Sequence, residues 1–270
     1  MKLRIGLYCL LGGLPLTIAA LGAGHFYWWW LSGVTVAAAL VPVARYGPRH
    51  SLGQLGAIVL PLLIVGPVCT MWEAAIFVPS QRELAGRNLT GGIVLYVILG
   101  AALTLLAKGL KLSDPSASTV ERRSVGRAVL MIGMSGVAYV AYYLIFGFIA
   151  YQFFTRQYYP QAQKVVSQLG VWFWVIELAR GILMTLAVLP IVYTLRMRRW
   201  PAALAVGTLL WIVGGLAPLL VPNGLMTPRQ RYIHIIEILT QNASLGMTVG
   251  LLLRPKPAEV VGSLRASASR

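Results

Sequence analysis

Apolar residues in this chain gather in eight long blocks separated by short polar breaks. The blocks run over 5–24, 27–44, 56–79, 91–110, 128–150, 169–194, 201–221 and 232–253. A helix that crosses a membrane needs about 20 mostly apolar residues, and each block supplies roughly that length. The pattern therefore predicts an all-α, polytopic transmembrane helix bundle of about eight spans. Residues 1–253 make one helical domain, and 254–270 a short, basic, flexible tail. The first block follows MKLR and so has the outline of a secretory leader. It is long for one, however, and leads directly into HFYWWW, an interfacial aromatic belt, which predicts a retained helix. The longest break, KLSDPSASTVERRSVGR, carries Asp-Pro and serine-rich turn chemistry. GG pairs at 12–13, 91–92 and 214–215 predict close helix approach. LLIVGPV loosely echoes LLWIVGGLAP, a likeness at the level of chance.

Composition agrees with the block pattern: 58% of the 270 residues are hydrophobic and only 11% are charged, where soluble domains carry about 25% charged residues. The net charge of +16 reports topology rather than a nucleic-acid partner. Sixteen Lys and Arg residues fall in the segments 2–4, 45–49, 108–127, 196–199 and 254–270. Six fall in the alternate breaks at 82–87, 156–164 and 229–231. The positive-inside rule then places both termini in the cytoplasm. Arginine outnumbers lysine 18 to 5, which fits a bacterial chain and hence a multi-pass protein of the cytoplasmic (inner) membrane. The two cysteines, Cys9 and Cys69, lie inside apolar blocks with no ligand-like spacing, so they define neither a disulfide framework nor a zinc site.

Candidate chemistry comes from the acids. Of seven acidic residues, Glu83, Asp114, Glu121 and Glu259 lie in breaks or in the tail. Glu73, Glu177 and Glu237 lie within the third, sixth and eighth blocks. An ionised carboxylate at mid-bilayer costs at least ~2.5–3.5 kcal/mol, so such residues face the bundle interior and tend to be functional or paired. At 1.5 Å per residue all three fall in the outer half of the membrane. Arg180 lies one turn from Glu177 on the same face, and His234 one turn from Glu237. Along the eighth block Gln230, His234, Glu237, Gln241, Ser244 and Thr248 form one stripe. A polar stripe cannot face lipid, so it faces other helices or water. Three carboxylates against one Arg and one His leave a local charge of −2 or −1, depending on His234. Either a carboxyl group holds a proton or a cation binds there.

Other features have simpler readings. Tyr139, Tyr142, Tyr143 and Phe146 share one face of the fifth block and predict packing. YQFFTRQYYP (151–160) predicts an interfacial belt, with Arg156 as a candidate gate. Pro67 and Pro190 predict kinks. His234 and Glu237 could supply two metal ligands, but with three histidines in the chain any metal site would draw mainly on carboxylates, and the metal stays unknown. GMSGVAY (133–139) resembles the GxSG motif of rhomboid intramembrane proteases. Ser135 lies in the inner half of its helix and His234 in the outer half, so the pair cannot form that family's dyad. RELAGR resembles the acidic-basic motif of CAAX-type membrane proteases, with Arg82 where that pattern has Glu. PLLIVGPVCTMWE, ending in Trp72-Glu73, resembles the Trp-Glu helix of integral-membrane terpene cyclases, a likeness of about a dozen residues. It implies a carboxylic acid that protonates a prenyl chain.

Three functional classes follow. The first is a proton- or cation-coupled small-molecule transporter, with Glu73, Glu177, Arg180, His234, Glu237 and Gln241 as the binding set. His234 would accept a proton and Arg180 would act as a switchable counter-ion. The second is an intramembrane enzyme on a lipid or prenyl substrate, with Glu73 or Glu237 as general acid and His234 in the proton relay. The third is a non-catalytic membrane subunit of a complex, an arrangement that leaves oligomers open. None of the three calls for a cofactor, and the expected partners are the lipid bilayer and an unidentified small molecule, cation or lipid-like substrate.

Overall fold

The computed structural model describes residues 1–22, 24–77, 82–114, 125–224 and 226–254; for 82–85 it describes the backbone only. It is 85% helical and has no strands among the described residues. Among the described residues eight helices are long and apolar enough to cross a membrane: Lys2–Ala19, Phe26–Tyr46, Ser51–Phe77, Gly86–Gly109, Val125–Thr155, Val171–Thr194, Arg199–Leu220 and Pro228–Leu253. They are called the first to eighth spans below. A short amphipathic helix, Ala162–Leu169, joins the fifth span to the sixth. The basic tail, the centre of the longest break and Glu83, Glu121 and Glu259 lie outside the described residues or side chains.

Three boundaries differ from the expected ones, each for a local reason. The first span stops at Ala19 rather than 24, ahead of Gly22 and Gly24 at φ +96° and +75°, a conformation that ends a helix. The fifth runs on to Thr155, because YQFFT continues the helix as a wide turn. The eighth begins at Pro228 rather than 232: Thr227 and Gln230 close a reciprocal capping box, with Pro at the first helical position.

Neighbouring spans touch through small residues, as expected where lipid supplies no hydrophobic drive between helices. The seventh and eighth come closest: a Cβ built on Gly246 would lie 2.6 Å from Gly207 Cα. The first packs against the second, where a Cβ on Gly12 would lie 2.5 Å from Ala37 Cβ, and it buries Tyr8 completely. Of the GG pairs, 12–13 and 214–215 are closely packed, whereas only Gly92 of the 91–92 pair meets a neighbour.

Four spans contain wide, π-type turns: Ile64–Val68 in the third, Tyr143–Gly147 and Tyr151–Thr155 in the fifth, Ile212–Leu216 in the seventh and Leu239–Ala243 in the eighth. Pro67 lies in the first of these and has no N–H to continue the α-helical ladder. Pro190, by contrast, leaves the sixth span helical through Thr194. The turns at 64–68, 143–147, 212–216 and 239–243 form a contiguous set through the bundle, and IVGPV and IVGGL, the two halves of the sequence echo, face each other. Asn242, in the eighth span's turn, donates to Leu210 O at 3.2 Å, and a Cβ on Gly214 would meet that amide nitrogen at 2.6 Å.

At the basic end the inter-helix segments are tied together by arginine. Arg196 donates to Asp114 O (3.0 Å), Gly47 O (3.2 Å) and Tyr46 O (3.3 Å), and Arg45 pairs with Asp114 at 3.5 Å. Arg199 reaches Leu251 O, and Arg254 reaches Met197 O. Burial followed by repulsion from Arg49 lowers the Arg196 pKa from its ordinary value. The opposite end carries the polar site.

Candidate functional site

Glu73, Glu177 and Arg180 form one cluster between the third and sixth spans. Arg180 Nη2 donates to Glu73 Oε2 at 2.7 Å and Nη1 to Glu177 Oε2 at 3.4 Å. The second pair is the i, i+3 contact expected along one helix; the first bridges two helices. Glu177 is 1% exposed and the Arg180 side chain 9%, while the Glu73 side chain keeps 38% of its surface. Glu73 is therefore the accessible member of a buried triad with net charge −1.

The fifth span closes this cluster. The Arg180 guanidinium lies 5.7 Å from the centre of the Tyr139 ring. Gly181 allows the approach, since a Cβ there would sit 2.6 Å from Tyr139 Cβ. Among the described residues the Tyr139 hydroxyl is buried without a hydrogen-bond partner, and so is Arg180 Nε. Tyr143 lies one turn along, with its ring centre 6.3 Å from that of Tyr139. Cys69 lies beside Arg180.

His234, Glu237 and Gln241 form a second cluster on the eighth span. His234 Nδ1 lies 2.9 Å from Glu237 Oε2, and Gln241 Nε2 donates to Glu237 Oε1 at 3.3 Å. His234 Nε2 lies 3.0 Å from the Tyr159 hydroxyl, which comes from the segment after the fifth span. With Nδ1–H donating to the carboxylate, Nε2 is free to accept from Tyr159, so a neutral imidazole satisfies both contacts. Tyr159 lies beyond the fifth span. Burial, then the Glu237 and Glu73 charges, push its phenol up to about 12. Lower down, Tyr142 and Thr248 share a hydrogen bond of 2.7 Å. The polar stripe of the eighth span thus faces the fifth, with Gly147 3.4 Å from Gln241 Nε2 at its nearest built position.

The two clusters flank the fifth span: the Tyr139 ring lies against Arg180, and a Cβ built on Gly147 would lie 3.4 Å from Gln241 and 3.7 Å from Glu237. The residues expected to meet therefore do so as two adjoining groups rather than as one knot. Glu237 lies nine residues, ~14 Å along the helix, from Pro228, because the helix starts before the expected residue 232. An open surface hollow of about 630 Å³ beside Arg156, Phe153 and Phe154 is separate from both clusters. Among the described residues no three His, Cys, Asp or Glu side chains gather as metal ligands. Ser135 donates its hydroxyl to Met131 O at 2.8 Å, as an ordinary buried serine does.

Sequence reasoning missed Tyr159 and Asn242. Tyr159 lies outside every apolar block, so no stripe points to it. Asn242 falls off the 100° stripe, but the wide turn at 239–243 adds a residue and buries Gln241 and Asn242 side by side. Its signal was simply an amide within an apolar block. No family model, curated protein or solved structure matches the chain.

Proposed function

We propose that this protein is a permease of a bacterial cytoplasmic membrane, with both termini cytoplasmic, that couples movement of a small solute to a proton or another cation. The observation that carries this reading is the surplus of buried negative charge. Three carboxylates from three spans share one arginine and one histidine within two adjoining clusters. Glu73, Glu177 and Glu237 accept the positive charge, His234 relays a proton to Glu237, and Arg180 is the counter-ion that a bound cation displaces.

The length of the polar stripe supports transport over catalysis. From Gln230 to Thr248 it advances by 18 positions, ~27 Å of helix, close to the ~30 Å of a bilayer's hydrocarbon core. An acid-initiated enzyme needs a carboxylic acid with a proton to give. Glu237 already meets N–H donors at both oxygens, and Glu73 meets a guanidinium at 2.7 Å. Both environments suit the ionised form.

The test uses proteoliposomes loaded with a pH-reporting dye and challenged with a panel of amines, amino acids and sugars. The expected result is a luminal pH change triggered by at least one solute and abolished by Glu237→Gln. An unchanged response in that variant, or no response to any solute from folded protein, overturns the reading.

A further inference from the structure

The chain between the fifth and sixth spans crosses the end of the bundle that carries the polar site. It leaves the wide turn Tyr151–Thr155, which packs against Pro228–Ile238 of the eighth span. Tyr159 then meets His234: its hydroxyl lies 3.0 Å from Nε2, and the two rings stand edge-to-face with centroids 5.6 Å apart. The helix Ala162–Leu169 follows and packs against Cys69–Phe77, the segment of the third span that holds Glu73. One strap thus touches the helix segments of both clusters, and it meets the second cluster through His234 itself.

Little holds this strap down. No residue from Arg156 to Gly170 is buried. Its backbone hydrogen bonds are local: Tyr158 and Tyr159 donate to Thr155 O, Ala162 to Tyr159 O and Gly170 to Val166 O. Among the described residues its side chains make one hydrogen bond to a span, that of Tyr159 with His234. Arg156, the gate expected from the sequence, is exposed. A segment with no buried side chain and one tertiary hydrogen bond opens at low free energy. Both of its ends suit bending. Gly170, at φ +54° and ψ −127°, takes a conformation that strains any other residue. A Cβ there would meet nothing, so the glycine serves the backbone and not the packing. At the other end, the wide turn at 151–155 already departs from α-helical pairing.

We propose that residues 156–170 form a gate over the two clusters, latched by Tyr159 on His234 and hinged at Gly170 and at the Tyr151–Thr155 turn. With the latch closed, the strap covers the approach to His234 and to the third span beside Glu73. On release it swings on its two hinges and admits the solute and the coupling cation. Tyr159 is a positioning residue, acting on the site through the place where it holds the strap. This inference deepens the permease reading and rests on it for what the gate admits, but opening of the strap is measurable without transport.

Amide hydrogen exchange and thiol labelling of the purified full-length protein in lipid nanodiscs test the gate together. Tyr159→Phe should speed exchange of the strap amides by about fivefold, as loss of one ordinary hydrogen bond implies, and leave the fifth and sixth spans unchanged. Labelling reads the access that the strap controls. Cys69 is 2% exposed and lies one helical turn from Glu73 on the third span. In Cys9→Ser protein, a charged, membrane-impermeant methanethiosulfonate should modify Cys69 about fivefold faster once Tyr159 is replaced by Phe. Gly170→Ala makes no new contact and lies well away from the latch, yet it should speed both processes several-fold, because alanine strains the closed strap. Should Tyr159→Phe fail to fold, Gly170→Ala carries the test. Unchanged strap exchange, faster exchange shared equally by the adjoining spans, or unchanged labelling of Cys69 overturns the gate. Both responses in a protein that moves no solute would refute the permease and leave the gate standing. Solute-driven flux with neither response would do the reverse.

Discussion

Replacing Arg180 with glutamine removes the one cation that Glu73 and Glu177 share. At an effective dielectric constant near 20, a unit-charge pair at the 3.4 Å separation of Glu177 and Arg180 is worth roughly 5 kcal/mol before desolvation. The shorter Glu73 contact, 2.7 Å, contributes far less than its distance suggests, because that side chain is 38% exposed and screened. Burying the guanidinium offsets part of the gain, but the substitution leaves Glu177 at 1% exposure with no counter-charge. The net loss should be about 3–5 kcal/mol, the range for breaking a buried pair from one side. Glu177→Gln alone should cost much less, since Arg180 keeps Glu73. The Arg180→Gln/Glu177→Gln double variant should recover roughly 2 kcal/mol of the single loss, because the orphaned carboxylate is gone. Reversible unfolding in mixed micelles, titrated with denaturing detergent, reads all four corners of this cycle. A loss below about 1 kcal/mol for Arg180→Gln, or no recovery in the double variant, would refute the claim that the triad is electrostatically coupled.

Three further substitutions probe other parts of the fold. Arg196→Ala removes the guanidinium donors to Gly47 O and Asp114 O, while Tyr46 O keeps the backbone N–H of residue 196, and should lower stability by about 1–3 kcal/mol in the same unfolding assay, with no change in solute binding. Gly246→Ala forces a methyl group to within 2.6–2.8 Å of the Gly207 and Val206 backbone, and thermal unfolding should show a cost of about 1–3 kcal/mol from overpacking. Tyr159→Phe removes the bond to His234, worth about 1 kcal/mol at neutral pH. Because the Tyr159 phenol is raised from 10 to about 12, its contribution is complete below pH 10 and disappears as pH rises toward 12, so the stability gap between wild type and variant should narrow across that window in thermal melts.

The eight spans were legible because a backbone in lipid must satisfy its hydrogen bonds internally, and long apolar helices do so within one segment. Their ends were less legible, because they depend on local chemistry. The Thr227–Gln230 box added a turn to the eighth span, and the positive φ of Gly22 and Gly24 followed an early end to the first. Within the site, the pairs Glu177–Arg180 and His234–Glu237 could be read directly, since i, i+3 spacing fixes them on one helix. Glu73–Arg180 followed from matching depth on antiparallel helices, a coarser argument that the 2.7 Å contact supports. Tyr159 could not be found that way, because its partner lies 75 positions along the chain. Asn242 was hidden by the wide turn, which breaks the helical period from which its face would be read. The aromatic face of the fifth span was expected to pack and does, but the Tyr139 ring also lies against the Arg180 guanidinium.

Infrared difference spectroscopy on protein carrying isotope-labelled glutamate reads the carboxyl groups of the site directly. The account predicts that a solute that triggers the luminal pH change also shifts carboxyl bands. It also predicts that the shift disappears when Glu73, Glu177 and Glu237 are all replaced by glutamine. Carboxyl bands that do not move on addition of that solute, or that move equally in the substituted protein, would contradict it.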